Sequence, residues 1–245
     1  MRDRSPLRER AQSETLGFVL IFSLVVTIIG ITFATGFGGL HEVRNAEQVN
    51  NAQRAFDVLA DNIGDLVHRT APSRATEIKL SGASIGMADP IEVNVSVGGF
   101  DRSYEIHPIE YDADTGAELF YSAGAVIRQR GGSGLVVSES VLLLDANRTM
   151  IPIVQTRPGE ESGIAGSGSV LVRTEVASRE IHNITDTDGT TVWFNVTTPR
   201  AGTWRDHLTD KDDVTCEPIS GETVSCQVTT DHAIVVEVLI DVSFR

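Results

Sequence analysis

The stretch TLGFVLIFSLVVTIIGITFATGFGGL, residues 15–40, decides how the rest of the chain is read. It contains no Asp, Glu, Lys or Arg, and Leu16 to Phe37 is almost wholly apolar. Some twenty helical residues, at about 1.5 Å each, cover the roughly 30 Å hydrocarbon core of a bilayer. The segment is long enough to cross. Ahead of it lies MRDRSPLRERAQSE, with Arg2, Arg4, Arg8 and Arg10 against Asp3, Glu9 and Glu14. A short arginine-rich head stays on the cytoplasmic side by the positive-inside rule. The sequence therefore reads as a single-pass cell-membrane protein, with a cytoplasmic basic leader over 1–14, a transmembrane helix over 15–40 and the C-terminal part extracellular. A secretory signal has an apolar core of about 7–15 residues followed by Ala-x-Ala. The run here is longer, and Phe33-Ala34-Thr35-Gly36 is a poor match, so the expectation is an anchor that is kept.

Beyond the span the apolar positions become periodic. Leu40, Val43, Ala46, Val49, Ala52, Phe56, Leu59, Ile63 and Leu66 recur every three or four residues, which draws one apolar stripe along a helix. The spacing predicts an amphipathic helix over 41–71, ending near His68 and Arg69 with Pro72 beyond as the stop. Gly36, Gly38 and Gly39 predict a kink or break at the membrane edge.

From Thr76 the period changes to two. Ile91–Val97 alternates cleanly, Val170, Val172 and Val176 alternate with Arg173 and Glu175, and the last run sets Ile234, Val236, Val238, Ile240, Val242 and Phe244 on one face. Turn signals at Gly98-Gly99, Asp112 to Gly116, Gly131 to Gly134, Asp186 to Gly189 and Ser220-Gly221 separate these runs. Residues 158–168, PGEESGIAGSG, read as a flexible loop. The fold class is α+β: a long N-terminal helix, half transmembrane and half amphipathic, followed by an antiparallel sandwich-like head over 72–245. The final strand, the most apolar of all, should be central or lie against the amphipathic helix.

Composition narrows the partners. The chain carries 34 acidic and 20 basic residues, a net charge of −14, and its only lysines are Lys79 and Lys211. So acidic a surface argues against a nucleic-acid partner, since a phosphate backbone needs a basic face. The lysine-poor, aromatic-poor acidity resembles that of secreted proteins of salt-loving archaea. At molar salt the screening length falls to about 3 Å and carboxylate repulsion largely vanishes.

Four Asn-x-Ser/Thr sequons, at Asn94, Asn147, Asn183 and Asn195, all lie beyond the span, where N-glycosylation would occur. Cys216 and Cys226 flank a turn-rich stretch with strand-like edges, and outside the cell they are expected to form a disulfide. Two cysteines without a matching pair make only half a zinc site. The six histidines are scattered, with none at i, i+4, and His182 beside Glu180 on a presumed strand reads as ordinary surface. Asp112-Ala-Asp114 and Asp186-Thr-Asp188 lack the distal ligands of a calcium loop and read as turns. Of Trp193 and Trp204, one should fill the core. No nucleophile elbow, phosphate-binding loop or dinucleotide motif appears. The expectation is no catalytic residue, no metal, no cofactor and no enzyme activity.

The residues Arg10-Ala11-Gln12-Ser13-Glu14, running into the apolar helix, resemble the class III signal of archaeal type IV pilins and archaellins. The resemblance implies a cut by a prepilin peptidase between Ala11 and Gln12, leaving the span in the mature chain. Glu14 would then stand third, where bacterial pilins carry their Glu fifth. With the acidic exterior, the chain looks like a haloarchaeal type IV pilin-like protein. That likeness implies a structural subunit whose helix packs among copies of itself or in lipid, displaying a glycosylated head for surface assembly or adhesion. The alternative from a different class is a single-pass surface protein that binds a ligand and never polymerises.

Overall fold

The computed structural model describes residues 7–69, 71–139, 142–211 and 213–245, and gives no side chains for 7–14, 35–42 and 185–188. The chain divides into two compact units, 1–47 and 48–245. Helix α1 (Leu7–His68) runs through both, so of the expected kink or break at Gly36, Gly38 and Gly39 the break does not occur. A glycine inside a helix costs only about 1 kcal/mol relative to alanine. Within the first unit, Thr15–Ala34 forms a 20-residue apolar stretch of helix with none of it buried. This is an N-terminal helix long and apolar enough to cross a membrane.

The second unit is an α+β head built mostly from antiparallel strands. Its strands are β1 (Ser73–Lys79), β2 (Ser84–Met87), β3 (Ile91–Val97), β4 (Phe100–Ile106), β5 (Ile109–Asp112), β6 (Ala117–Ser122) and β7 (Ala125–Arg130). There follow β8 (Ser133–Ser138), β9 (Thr149–Pro158), β10 (Gly163–Ala165) and β11 (Ser169–Thr197). After the short helix α2 (Ala201–Thr209) come β12 (Thr215–Cys216) and β13 (Thr223–Phe244). Among the described residues they form a seven-stranded and a six-stranded sheet. The six-stranded sheet has the order β10-β2-β5-β6-β7-β8, antiparallel throughout.

The larger sheet is organised around two very long strands. β11 and β13 pair antiparallel from Val172–Phe244 to Thr197–Thr223. β1 and β3 take successive stretches of the other edge of β11, and β4 follows β3. The other edge of β13 takes β9, in parallel, from Ala233–Thr149 to Val242–Pro158. This parallel pair departs from the all-antiparallel expectation. It arises because the long excursion from β9 through β10, β11 and α2 gives the chain room for a crossover, which a hairpin does not. At one end β4 and β9 also meet: the His107 amide donates to the Thr156 carbonyl at 2.9 Å and the Thr156 hydroxyl to the His107 carbonyl at 2.6 Å.

Two apolar clusters fill the head. In the first, the helical stripe Val49, Ala52, Phe56, Leu59, Ile63 and Leu66 packs with Val238, Ile240, Val242 and Phe244 of β13 and with Tyr111, Leu119 and Tyr121 of the smaller sheet. The stripe is therefore core from Val49 onward, whereas Val43 is exposed. Arg179 closes this helix: its guanidinium donates to the Leu66 carbonyl, one of the last acceptors that the helix cannot satisfy internally. The second cluster gathers Val93, Val95 and Val97 of β3, Ile151 and Ile153 of β9, Phe194 and Val196 of β11, Ala233 and Val235 of β13, and Trp204 of α2. Trp204 is thus the core tryptophan, and Trp193 lies at the surface.

β13 is central, flanked by β11 and β9, and lies against the helical stripe, as its composition suggested. A chain ending at residue 232 loses contributors to both cores and the partner of β9. We expect it to give no folded head by near-UV circular dichroism and to be degraded rapidly by protease. A protected, cooperatively unfolding product from that truncation would contradict this packing.

Candidate functional site

A one-residue irregularity in β11 decides which side chains form a site. Up to Val176, the even-numbered residues of β11 face the helical stripe, since Val172 and Val176 pair with Phe244 and Ile240. Between Val176 and Ser178 the register slips by one residue. Beyond the slip Arg179 and Ile181 oppose Val238 and Val236, while Glu180 and His182 oppose Glu237 and Val235. A bulge of this kind turns every later side chain to the other face. It carries Arg179 to the helix end and Glu180 and His182 to the side of the second apolar cluster.

Glu180 and Glu237 are directly opposite in register, an arrangement that repels unless a cation intervenes. β4 supplies one. Phe100, Arg102 and Tyr104 alternate along it, and Arg102 reaches across to bind Glu237 through Nη1, at 2.9 and 3.2 Å from the two carboxylate oxygens. The same nitrogen lies 3.7 Å from Glu180. His182 Nε2 lies 2.9 Å from Glu237 Oε1 and 3.6 Å from Glu180 Oε2. Its ring packs at a tilt on Phe100, with centroids 5.0 Å apart, and Arg102 sits over the same phenyl ring.

The cluster lies half in solvent. Glu180 is exposed, but the side chains of His182 and Glu237 are only 25% and 18% exposed. Tyr104 closes the floor. Burial, and secondarily the neighbouring Glu237 carboxylate, push its hydroxyl well above the usual phenol range. Glu180, His182 and Glu237 each present a ligand atom, all within 4.8 Å of one another, and among the described residues no other group of His, Cys, Asp or Glu does so.

Sequence reasoning missed this constellation. Glu180 and His182 looked like ordinary strand surface, and nothing local connects them to Glu237, fifty-five positions later, or to Arg102. The only signal was the interrupted alternation after Val176, where Ala177-Ser178-Arg179 replaces the valine rhythm.

The other singled-out residues lie apart. Cys216 and Cys226 form a disulfide between β12 and β13, where they are register partners. Asn147 and Asn183 are exposed. Asn94 and Asn195 face each other across β3 and β11; the Asn195 amide donates to Asn94 Oδ1 at 3.4 Å, and the Asn94 amide donates to Asp101 at 3.0 Å. Asp114 occupies the expected turn before Gly116, whose φ is +71°. The side chains of Ala11, Gln12, Asp186 and Asp188 lie outside the described residues, and β11 runs through 186–189 with a second register shift in place of the expected turn. A recess of about 760 Å³, which Tyr104 also lines, is walled by Asp89, Glu92, Glu105, Glu110, Glu222 and Arg200, among others. Burial raises the Glu110 carboxyl in it.

Residues 10–243 match a family of unknown function, DUF7289. The chain belongs to this family. The DUF7289 match covers the apolar helix, the helical stripe and all but the last residue of the two long strands. No curated protein and no solved structure matches the chain.

The disulfide joins residues ten apart in the DUF7289 head. A closed loop of that length stabilises by about 2–3 kcal/mol. Replacing both cysteines with serine should lower the unfolding free energy of the detergent-solubilised chain by that amount, read from its urea midpoint, with the fold retained.

Proposed function

We propose that this protein is a pilin-like surface subunit, held in the cell membrane by its N-terminal helix and exposing the acidic head outside. One observation carries the reading: the 20-residue apolar stretch Thr15–Ala34 has no burial of its own, while the same helix from Val49 is core of the head. An apolar cylinder of that length needs lipid or the matching helices of other copies around it. Ser23, Thr27, Gly30 and Ala34 give small surfaces for close helix approach, and the Thr27 hydroxyl already bonds the Ser23 carbonyl at 2.7 Å. Nothing within 4 Å meets a Cβ placed at Gly30, so that surface is open for a neighbour.

The proposal includes processing by a prepilin peptidase between Ala11 and Gln12. N-terminal sequencing of protein recovered from membranes and from sheared surface material tests it. Gln12 as first residue in both fractions is the expected result. Met1 or Arg2, with nothing in the sheared fraction, would sink the pilin route and leave the anchored binding protein in its place.

We further assign N-glycans to the head, chiefly at the exposed Asn147 and Asn183. Asn94 and Asn195, as bonded cross-strand neighbours, leave room for at most one. Glycopeptide mass spectrometry of protein from an N-glycosylating host should find Asn147 and Asn183 modified. Finding Asn94 and Asn195 modified on the same molecule would contradict the assignment.

A further inference from the structure

We propose that Glu180, His182 and Glu237 form a binding site for one borderline divalent transition-metal ion of the zinc type. This is independent of whether the protein polymerises. The inference begins with geometry. One imidazole nitrogen and two carboxylates, drawn from β11 and β13, bring their ligand atoms within 4.8 Å of each other. Three protein ligands of this mixed kind suit zinc and its neighbours, with a further position left to water or an external ligand. Calcium and magnesium prefer an all-oxygen shell, which the imidazole spoils.

A second observation points the same way. Tyr104 is only 6% exposed, and its hydroxyl is buried against the Glu237 carboxylate. His182 Nε2 is also buried, and although 2.9 Å from a Glu237 oxygen it lacks the alignment of a hydrogen bond. Buried polar groups are nearly always bonded, because desolvating one without a partner costs about 1–3 kcal/mol. One such group, His182 Nε2, lies against the Glu237 carboxylate here. A cation bound to Glu237 and His182 takes up the imidazole nitrogen directly.

Arg102 is the competitor. Its guanidinium holds Glu237 from the solvent side, and two carboxylates against one guanidinium leave the cluster with excess negative charge. The Arg102 side chain is half exposed, so it can swing into solvent as the metal enters, without disturbing the core. The site therefore exchanges a built-in monovalent cation for a divalent one. Removing Arg102 should tighten metal binding, whereas a merely structural ion-pair cluster has no reason to respond in that direction.

The test uses the untagged full-length chain in detergent micelles, with Zn²⁺ alone as probe. Isothermal titration should show one equivalent bound, uncompeted by Ca²⁺ or Mg²⁺ in large excess. His182→Ala and Glu237→Gln should each weaken binding at least tenfold, and Arg102→Ala should strengthen it about threefold or more. Near-UV circular dichroism checks that each variant folds. Zinc-edge X-ray absorption on the wild-type chain needs no variant, and should report one imidazole with oxygen ligands at about 2.0–2.2 Å. Absence of stoichiometric uptake, more than one imidazole in the shell, or affinities unchanged in folded His182 and Glu237 variants would overturn the assignment.

Discussion

The antiparallel pairing of β11 with β13 is the constraint on which the head depends. These two strands run the length of the larger sheet, and every other strand of that sheet attaches directly or through a neighbour to one of them. Their ribbon is apolar on both faces over much of its length. One face receives the helical stripe; on the other, Trp204 and Leu208 of α2 join the second cluster, and β3 and β9 extend the same sheet. Because strand side chains alternate with a period of two, the register of this single pairing assigns each residue of both strands to one core or the other. A slip anywhere would empty one core and load the other with charge.

The bulge after Val176 is such a slip, placed where it is useful. It frees Arg179 to cap α1 at Leu66 and hands Glu180 and His182 to the opposite side. Cap and candidate site are thus products of one inserted residue. The arrangement also explains the Arg, Glu and His that follow the valine alternation of Val170, Val172 and Val176. Each sits where a helix end or a facing charge, and not the apolar core, determines its surroundings.

Much of this was legible in the sequence, and the limits have physical causes. The apolar span and the stripe from Val49 to Leu66 follow from helical periodicity, and the centrality of β13 follows from its unbroken alternation. The disulfide was readable from two cysteines flanking a turn. The parallel β9–β13 pair was not, because pairing direction is set by long-range topology and leaves no mark on local pattern. The glycines at 36, 38 and 39 do not break the helix, because helix continuity depends on the sum over many residues and their individual penalties are small. The Glu180–His182–Glu237 cluster was invisible for a third reason. A single bulged residue reverses the facing of everything after it, and alternation counted from Val172 assigns Glu180 and His182 to the wrong side.

The late position of β13 in the chain has a bearing on biogenesis. Translation delivers the apolar helix first and the strand that covers its amphipathic continuation last, with β1 to β12 in between. Until β13 arrives, Val49 to Leu66 lack their contacts with Val238 to Phe244, β11 lacks its long partner and β9 lacks its parallel mate. Native contacts of such long sequence separation form slowly, because loop closure must precede any gain from burial. The nascent head is therefore a sticky, half-built object for nearly the whole of its synthesis. Such a chain leans on holdase-type chaperones until its final strand threads between two that are already waiting.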